Sequence, residues 1–595
     1  MLQSFEVTAD PQAGVARLAA LRAVLKSHEI DGFLVPRADA HQGEYVVARD
    51  ERLSWLTGFT GSAGFCAVLP EVAGVFVDGR YRVQVREQVA DVYTPVDWPE
   101  TQLGDWLVAQ MPNGGRVAYD PWLYSVAQIE TLTKQISGSG IVLEQTQNFV
   151  DEIWPDQPCA PIEPAFSHPI EFAGESSASK AQRLAAEMAA AGQAAALITL
   201  PDSIMWLLNI RGADIPRNPV AHGFAILNAD ASVDLFMNEA KLARVVFEEG
   251  LTLRQHAQDA FLDAVAQLNG KICADKGTLP VKVADACNGE LDWGGDPCVL
   301  PKACKNQTEI KGMVTAHLRD AVAMCEFLCW VDAQPAGSVT EIDVATQLEQ
   351  CRRAASQLHD ISFETISATG PHGALPHYRV TNDSNLTVED GYLLLVDSGG
   401  QYLDGTTDIT RTMAIGTPTA EHKDCFTRVL QGVIAINRAQ FPRGLAGRDL
   451  DALARYALWS VGKDYDHGTG HGVGAFLSVH EGPQRISRVS DVPLAEGMIL
   501  SNEPGYYREG HFGIRIENLI VVQKAEEIDG DDGRDMLSFL NLTWVPIDTR
   551  LIDKSMLSPA ELNWINAYHA EVRERLKGRL SPTADAWLET ATQAL

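Results

Sequence analysis

A carboxylate that closes an unbroken apolar strand must be neutralised by something, and one stretch of this chain poses that problem twice. Residues 391–416, GYLLLVDSGGQYLDGTTDITRTMAIG, read as a strand, a glycine-bearing turn and a returning strand. Alternation puts Leu393, Leu395 and Asp397 on one face of the first strand, and Thr406, Asp408 and Thr410 on one face of the second. The two acids then converge across a hairpin, where each needs a cation, a hydrogen-bond network or a proton. MILSNEPGYY, 498–507, ends another apolar strand on Glu503, before a Pro-Gly turn. GIRIENLIVV, 513–522, sets Ile514 and Ile516 on one side and Arg515 and Glu517 on the other, with Arg515 expected to grip a neighbouring carboxylate as a bidentate pair.

HGTGHGVG, 467–474, adds two histidines. Their i, i+4 spacing would suit a zinc-binding helix. Four glycines in eight residues argue against that helix, each costing roughly 1 kcal/mol relative to alanine. The stretch reads instead as a shaped loop, with glycine supplying positive φ and close approach beside a metal or ligand. Any one of these acids alone reads as a turn cap or a solvent-facing residue. Four of them with a histidine loop do not, because clustered unpaired acids would cost several kcal/mol in repulsion and desolvation. Two divalent ions ~3.5–4 Å apart would cancel their charge and lower the pKa of a shared water. Oxygen-rich ligation favours Mn2+, with Zn2+ or Co2+ as alternatives.

Composition narrows the partners. With 79 acidic against 48 basic residues the net charge is −31, which repels nucleic acid and anionic membranes. No signal peptide is visible at the start, and no run approaches the ~20 apolar residues of a membrane span. Ten cysteines without CxxC spacing suit a reducing cytoplasm, and Cys325 and Cys329 read as thiols packed on a buried helix face.

At 595 residues the chain should hold about three or four domains of ~150 residues. A helix at 15–30 leads to a strand at 31–36, and a helix at 180–192 leads to a strand at 195–200. Trp55 and Trp206 fall at matching places, each shortly before a glycine, Gly61 and Gly212. The repetition suggests two related α/β domains. Proline-rich 154–169 reads as a linker, 295–309 as a second junction, and a long helix opens near 308.

The order Asp397, Asp408, His471, Glu503, Glu517, set within VDSG, GTTDITRT, HGTGHGVG, NEPGYY and GIRIEN, resembles the pita-bread metallopeptidases (M24), and within them the long, three-domain form of Xaa-Pro aminopeptidase, or aminopeptidase P. The likeness extends to DAHQGEYV (39–46), FVDGRY (76–81), RGADIPRNPV (211–220) and SATGPHGALPHY (367–378). It implies two creatinase-type N-terminal α/β domains, 1–155 and 156–305, followed by an α+β pita-bread catalytic domain, 306–595, with a C-terminal extension from about 530.

The resemblance also implies roles. Asp397, Asp408, His471, Glu503 and Glu517 would ligate two divalent metals, with Asp408 and Glu517 bridging and a metal-bridging hydroxide as nucleophile. Glu503 would shuttle a proton to the leaving nitrogen. His377, His467 and His480 would line the substrate site, His480 stabilising the tetrahedral intermediate, with Arg80 a further substrate contact. Arg515 and Tyr507 would support the ligands. The expected enzyme is a cytoplasmic homodimer acting on short peptides with proline second. Prolidase, methionine aminopeptidase and a non-catalytic pita-bread binding module are the competing readings. Two further expectations concern single positions. Asn502 replaces an aspartate common in the family and is expected to tune metal affinity, while the exposed-looking Trp564 and Tyr568 of the tail should pack on the core or on a second subunit.

Overall fold

Two six-stranded sheets with one shared topology account for residues 32–292 of the computed structural model, which describes residues 2–355 and 357–595. The first sheet comprises Gly32–Pro36, Phe65–Val68, Ala73–Val77, Thr94–Asp97, Gly115–Tyr119 and Ile141–Gln145. The second comprises Gln193–Ile198, Phe224–Asn228, Val233–Phe236, Leu253–His256, Lys271–Cys273 and Glu290–Asp292. In both the spatial order is fourth, third, second, first, fifth, sixth. In both the second strand runs antiparallel to the first and to the third, and the other pairings are parallel.

Each first strand follows a capped helix. Pro11–Ser27 begins on Asp10 and buries Leu18, Leu21 and Leu25, while Ser177–Ala190 begins on Ser176 and buries Ala181, Leu184 and Met188. Trp55 and Trp206 occupy the short helices Arg52–Thr57 and Pro201–Leu207 that come next. The duplication expected from the sequence is therefore present in topology. Residues 8–170 and 175–299 form one compact unit, in which Phe166–Ser167, inside the stretch read as a linker, pairs with Ile210–Arg211.

The second unit comprises Leu300–Leu595, Glu171–Gly174 and the start of the chain up to Val7. Its long helix, Gln307–Asp332, starts on a capping box: the Asn306 side chain accepts from the Thr308 and Glu309 amides, and the Glu309 carboxylate accepts from the Asn306 amide. Met324, Phe327 and Val331 of this helix pack with Leu394 and Val396, with Val429 and Val433 of helix Ala420–Asn437, and with Ile565 and Val572 of helix Pro559–Leu576. Each such side chain contributes about 1.5–3 kcal/mol on burial. Cys325 lies in this core, and burial pushes its thiol far above the ordinary range.

The two aromatic residues singled out in the tail pack on the core. Tyr568 is 5% exposed, and Trp564 stacks on it at 5.1 Å while donating to Asn437 Oδ1 at 3.0 Å. Among the described residues no helix is long and apolar enough to cross a membrane. Two sheets of this unit carry the polar residues of interest. One is antiparallel, Ile366–Thr369, Leu393–Ser398 and Ile409–Ala414; the other is six-stranded and includes Gly470–Gly472, Glu481–Ile486, Ile499–Asn502 and Asn518–Lys524.

Candidate metal centre

Asp397 sits one residue from the end of its strand, opposite Thr410, and Asp408 immediately precedes the returning strand. Glu503 follows Ile499–Asn502, its amide tied to the Thr469 carbonyl at 2.8 Å, and Glu517 immediately precedes Asn518–Lys524. These strand ends converge. Asp397, Asp408 and Glu517 place ligand-type atoms within 4.8 Å of one another, as do His471, Glu503 and Glu517, and also Asp408, His471 and His480.

His471 is not in a loop. It is the middle residue of strand Gly470–Gly472, and none of the four glycines of HGTGHGVG has positive φ. Their smallness serves the packing of strands. A Cβ on Gly470 would lie 2.0 Å from the Ser501 carbonyl oxygen, and one on Gly472 would lie 2.3 Å from that of Glu481. His471 is thereby held: its amide donates to Ser501 Oγ at 2.9 Å, and Nδ1 donates to the Gly472 carbonyl at 2.9 Å. Nε2 is left pointing between Asp408 Oδ2 and Glu503 Oε1, 3.5 Å from each.

Arg515 does not make the expected bidentate pair. It gives one N–H to each of three partners: Asp397 Oδ2 at 2.6 Å, Thr410 Oγ1 at 3.0 Å and the Tyr507 hydroxyl at 2.6 Å. The Thr410 hydroxyl donates onward to Glu517 Oε2 at 2.8 Å. The Tyr507 hydroxyl, which accepts from Arg515, donates to His467 Nε2 at 2.8 Å, because His467 Nδ1 donates to the Gly468 carbonyl. One guanidinium thus orients two acids and a histidine.

The His480 ring stands 4.3 Å from the His471 ring, nearly edge-on. His377 is half-buried in the turn after the helical segment Gly370–Ala374 and belongs to none of the three close groupings. That turn hangs on Glu341, which accepts from the Thr369 and Leu386 amides, from His372 Nδ1 and from the Tyr378 hydroxyl. Arg80 belongs to the other unit, where its guanidinium is paired bidentately with Asp78. Asn502 faces away from the acids. Its amide donates to the Val433 carbonyl at 2.9 Å, so the residue ties the strand to a helix and adds no outer charge to the site.

Sequence reasoning missed several supports. Thr410 was placed on the correct face without a partner, and nothing signalled Ser501 or Glu341. Glu481, next to His480, is buried with Lys302 Nζ at 2.8 Å and with Lys305.

The electrostatics are those of acids crowded without enough cations. Burial, with Asp397 and Glu503 nearby, pushes Asp408 up to about 6 against its hydrogen bond to His471. Burial and then Asp408, Asp397 and Glu503 hold Glu517 well above the usual carboxylate range. Burial alone would lower His471, but the hydrogen bond to Asp408 and the charge of Glu503 outweigh it and bring the imidazole up to about 9. Among the described residues Asp397 Oδ1 and Asp408 Oδ1 are buried without a hydrogen-bond partner. Orphaned carboxylate oxygens in a four-acid, imidazole-bearing pocket fit hard divalent cations. Glu517 belongs both to the all-carboxylate grouping and to that with His471 and Glu503, as a carboxylate shared by two ions would.

Residues 311–524 match the model of metallopeptidase family M24, and 535–595 match the C-terminal region of that peptidase. Residues 17–153 and 156–309 each match a creatinase/prolidase N-terminal domain. Aminopeptidase P2 of Arabidopsis thaliana is 39% identical, covering 95% of this chain and 86% of that protein. Aminopeptidase P1 of Lotus japonicus is 35% identical, covering 97% and 99%. The X-prolyl aminopeptidase of Caenorhabditis elegans, described as a cytosolic enzyme with a di-nuclear active site, superposes with a TM-score of 0.92 at 32% identity, covering 98% of this chain and 100% of that one.

Proposed function

Because the chain belongs to metallopeptidase family M24, we propose that it is a metal-dependent aminopeptidase that releases the N-terminal residue from peptides with proline second. The convergence of Asp397, Asp408, His471, Glu503 and Glu517 carries the reading. These five would hold two divalent ions, Asp408 and Glu517, each in two of the close groupings, serving both, with Mn2+ suited to the oxygen-rich set and Zn2+ or Co2+ as alternatives. When bound, the ions would supply Lewis-acid polarisation of the scissile carbonyl and a lowered pKa for the attacking water.

The chain's own residues do the rest. Glu503, oriented by the Ser501 hydroxyl at 3.1 Å, takes a proton from the attacking water and delivers it to the proline nitrogen. His480 donates to the oxygen that gains charge, and His467, held by Tyr507, contacts the peptide. The Xaa-Pro bond has no N–H, so a site built without an acceptor for that group leaves nothing unpaired. The acids also attract the free amine of the substrate. By likeness to the worm enzyme, described as cytosolic, we place the chain in the cytoplasm, and we expect a homodimer.

Arg-Pro-Pro and Arg-Pro, each assayed with and without Mn2+, test the reading. Metal-dependent release of arginine from the tripeptide is expected. Cleavage of the dipeptide alone would point to a prolidase, and no hydrolysis of either to a binding module.

A further inference from the structure

Arg411 lies one residue beyond Thr410, is 2% exposed, and among the described residues has no carboxylate at ion-pair distance. A guanidinium buried without a counter-ion is costly unless every donor is satisfied. Here every donor is. Nε donates to the Pro546 carbonyl at 2.9 Å, and Nη1 donates to the carbonyls of Thr410 at 2.9 Å and Glu517 at 2.7 Å. Nη2 donates to Asn518 Oδ1 at 2.9 Å, the Val545 carbonyl at 2.7 Å and the Tyr568 hydroxyl at 3.1 Å. The Tyr568 hydroxyl in turn donates to the Val545 carbonyl at 2.8 Å, which fixes the ring against the same segment that accepts from Arg411.

The partners fall into two groups. Glu517 belongs to the acid cluster, with Thr410 bonded to it and Asn518 next to it in the chain, whereas Val545, Pro546 and Tyr568 belong to the C-terminal region. That region is more than a hundred residues from Arg411 in sequence and holds no ligand-type residue in the close groupings. Arg411 grips Glu517 by its own main-chain carbonyl, and Thr410 grips the carboxylate of the same residue. The backbone and the side chain of Glu517 are therefore set by two neighbouring residues of one strand.

We propose that Arg411 is a positioning residue for the metal centre and that the C-terminal region, through Val545, Pro546 and Tyr568, is the abutment that lets it hold Glu517 in place within the ligand cluster. This rests on the metal-centre reading above. Electrostatics gives the idea an unusual signature. A buried positive charge close to a cation site opposes cation binding, so mere loss of the charge would tighten metal binding. Loss of the geometry would weaken it.

Arg411→Lys keeps the charge and cannot span both groups of acceptors. Tyr568→Phe keeps the guanidinium and removes one acceptor, and it guards against failure of the first variant to fold. Val572→Ala, in the apolar core on the same helix, serves as the control for general loosening. The full-length chain is loaded with Mn2+, dialysed against graded chelator, and retained metal is measured beside the melting temperature of the metal-free forms. Arg411→Lys is expected to lose Mn2+ at a tenfold or more lower chelator concentration than wild type. Tyr568→Phe is expected to shift in the same direction by less, and Val572→Ala to lower the melting temperature without shifting retention. Retention equal to wild type in both Arg411→Lys and Tyr568→Phe would overturn the inference while leaving the metal-centre reading intact, and so would an equal shift in Val572→Ala. Failure of wild type itself to retain metal would remove the reading and the inference together.

Discussion

The Arg515 guanidinium donates to Asp397 Oδ2 at 2.6 Å while its other two nitrogens hold Thr410 and Tyr507. A charge shared in this way orients ligands, and groups behind metal ligands typically account for 10–100-fold in metal affinity or activity. Arg515→Lys retains the charge and at most one of the three contacts. A fall of about 10–100-fold in kcat/KM for Arg-Pro-Pro or in metal affinity is expected. Wild-type values for both would show that the three contacts do not matter.

Asn502 faces helix Ala420–Asn437 through its bond to the Val433 carbonyl, so Asn502→Asp should affect stability and not catalysis. The replacement turns a donor into a buried acceptor beside a carbonyl, at a cost of about 1–3 kcal/mol. Denaturant unfolding and metal titration check this. A shift in metal affinity with unchanged stability would restore the outer-charge role expected from the sequence.

Gly470→Ala places a methyl 2.0 Å from the Ser501 carbonyl oxygen and must push apart the strands that carry His471 and Glu503. The cost is expected at about 1–3 kcal/mol or more, accompanied by weaker metal retention. Retention as in wild type would mean that the strand absorbs the methyl without moving His471.

His569 is buried, accepts from the Ile547 amide at 3.1 Å, and is brought down to about 3 by burial and then by Arg411 and Arg573. Its folded value lies below the ordinary 6.5, so the unfolded chain binds the proton first. The neutral ring's contribution is complete above about pH 6.5 and is lost as the pH falls toward 3, at about 1.4 kcal/mol per pH unit. His569→Gln, which keeps an acceptor, should flatten that acid limb of the stability curve. An unchanged slope would place the proton elsewhere.

Much of the site was legible because acids at the ends of apolar strands break the rule that charges stay wet. Alternation suffices for Asp397, which lies inside its strand, but not for Asp408, which lies between Gly405–Thr406 and Ile409–Ala414; the repeated helix and strand around Trp55 and Trp206 anticipate the two sheets. The rest depended on partners that are distant in the chain. HGTGHGVG looks like a loop by composition, because nothing local announces that Ser501 and Glu481 will lie against its glycines and complete a strand. Most contacts of Arg515 and Arg411 exist only once segments more than a hundred residues apart are brought together. The partner of Asn502 is not legible from its family position, because strand alternation after Ser501 turns its side chain to the opposite face from Glu503, toward the Val433 carbonyl.

One cluster of acids and an imidazole is expected to hold two ions. Anomalous diffraction from crystals equilibrated with Mn2+, with metal per chain measured on the same protein, tests it directly. Two peaks are expected, one beside Asp397 and one beside His471 and Glu503, with Asp408 and Glu517 next to both. No peak there under excess ion, or metal bound only elsewhere, would contradict it.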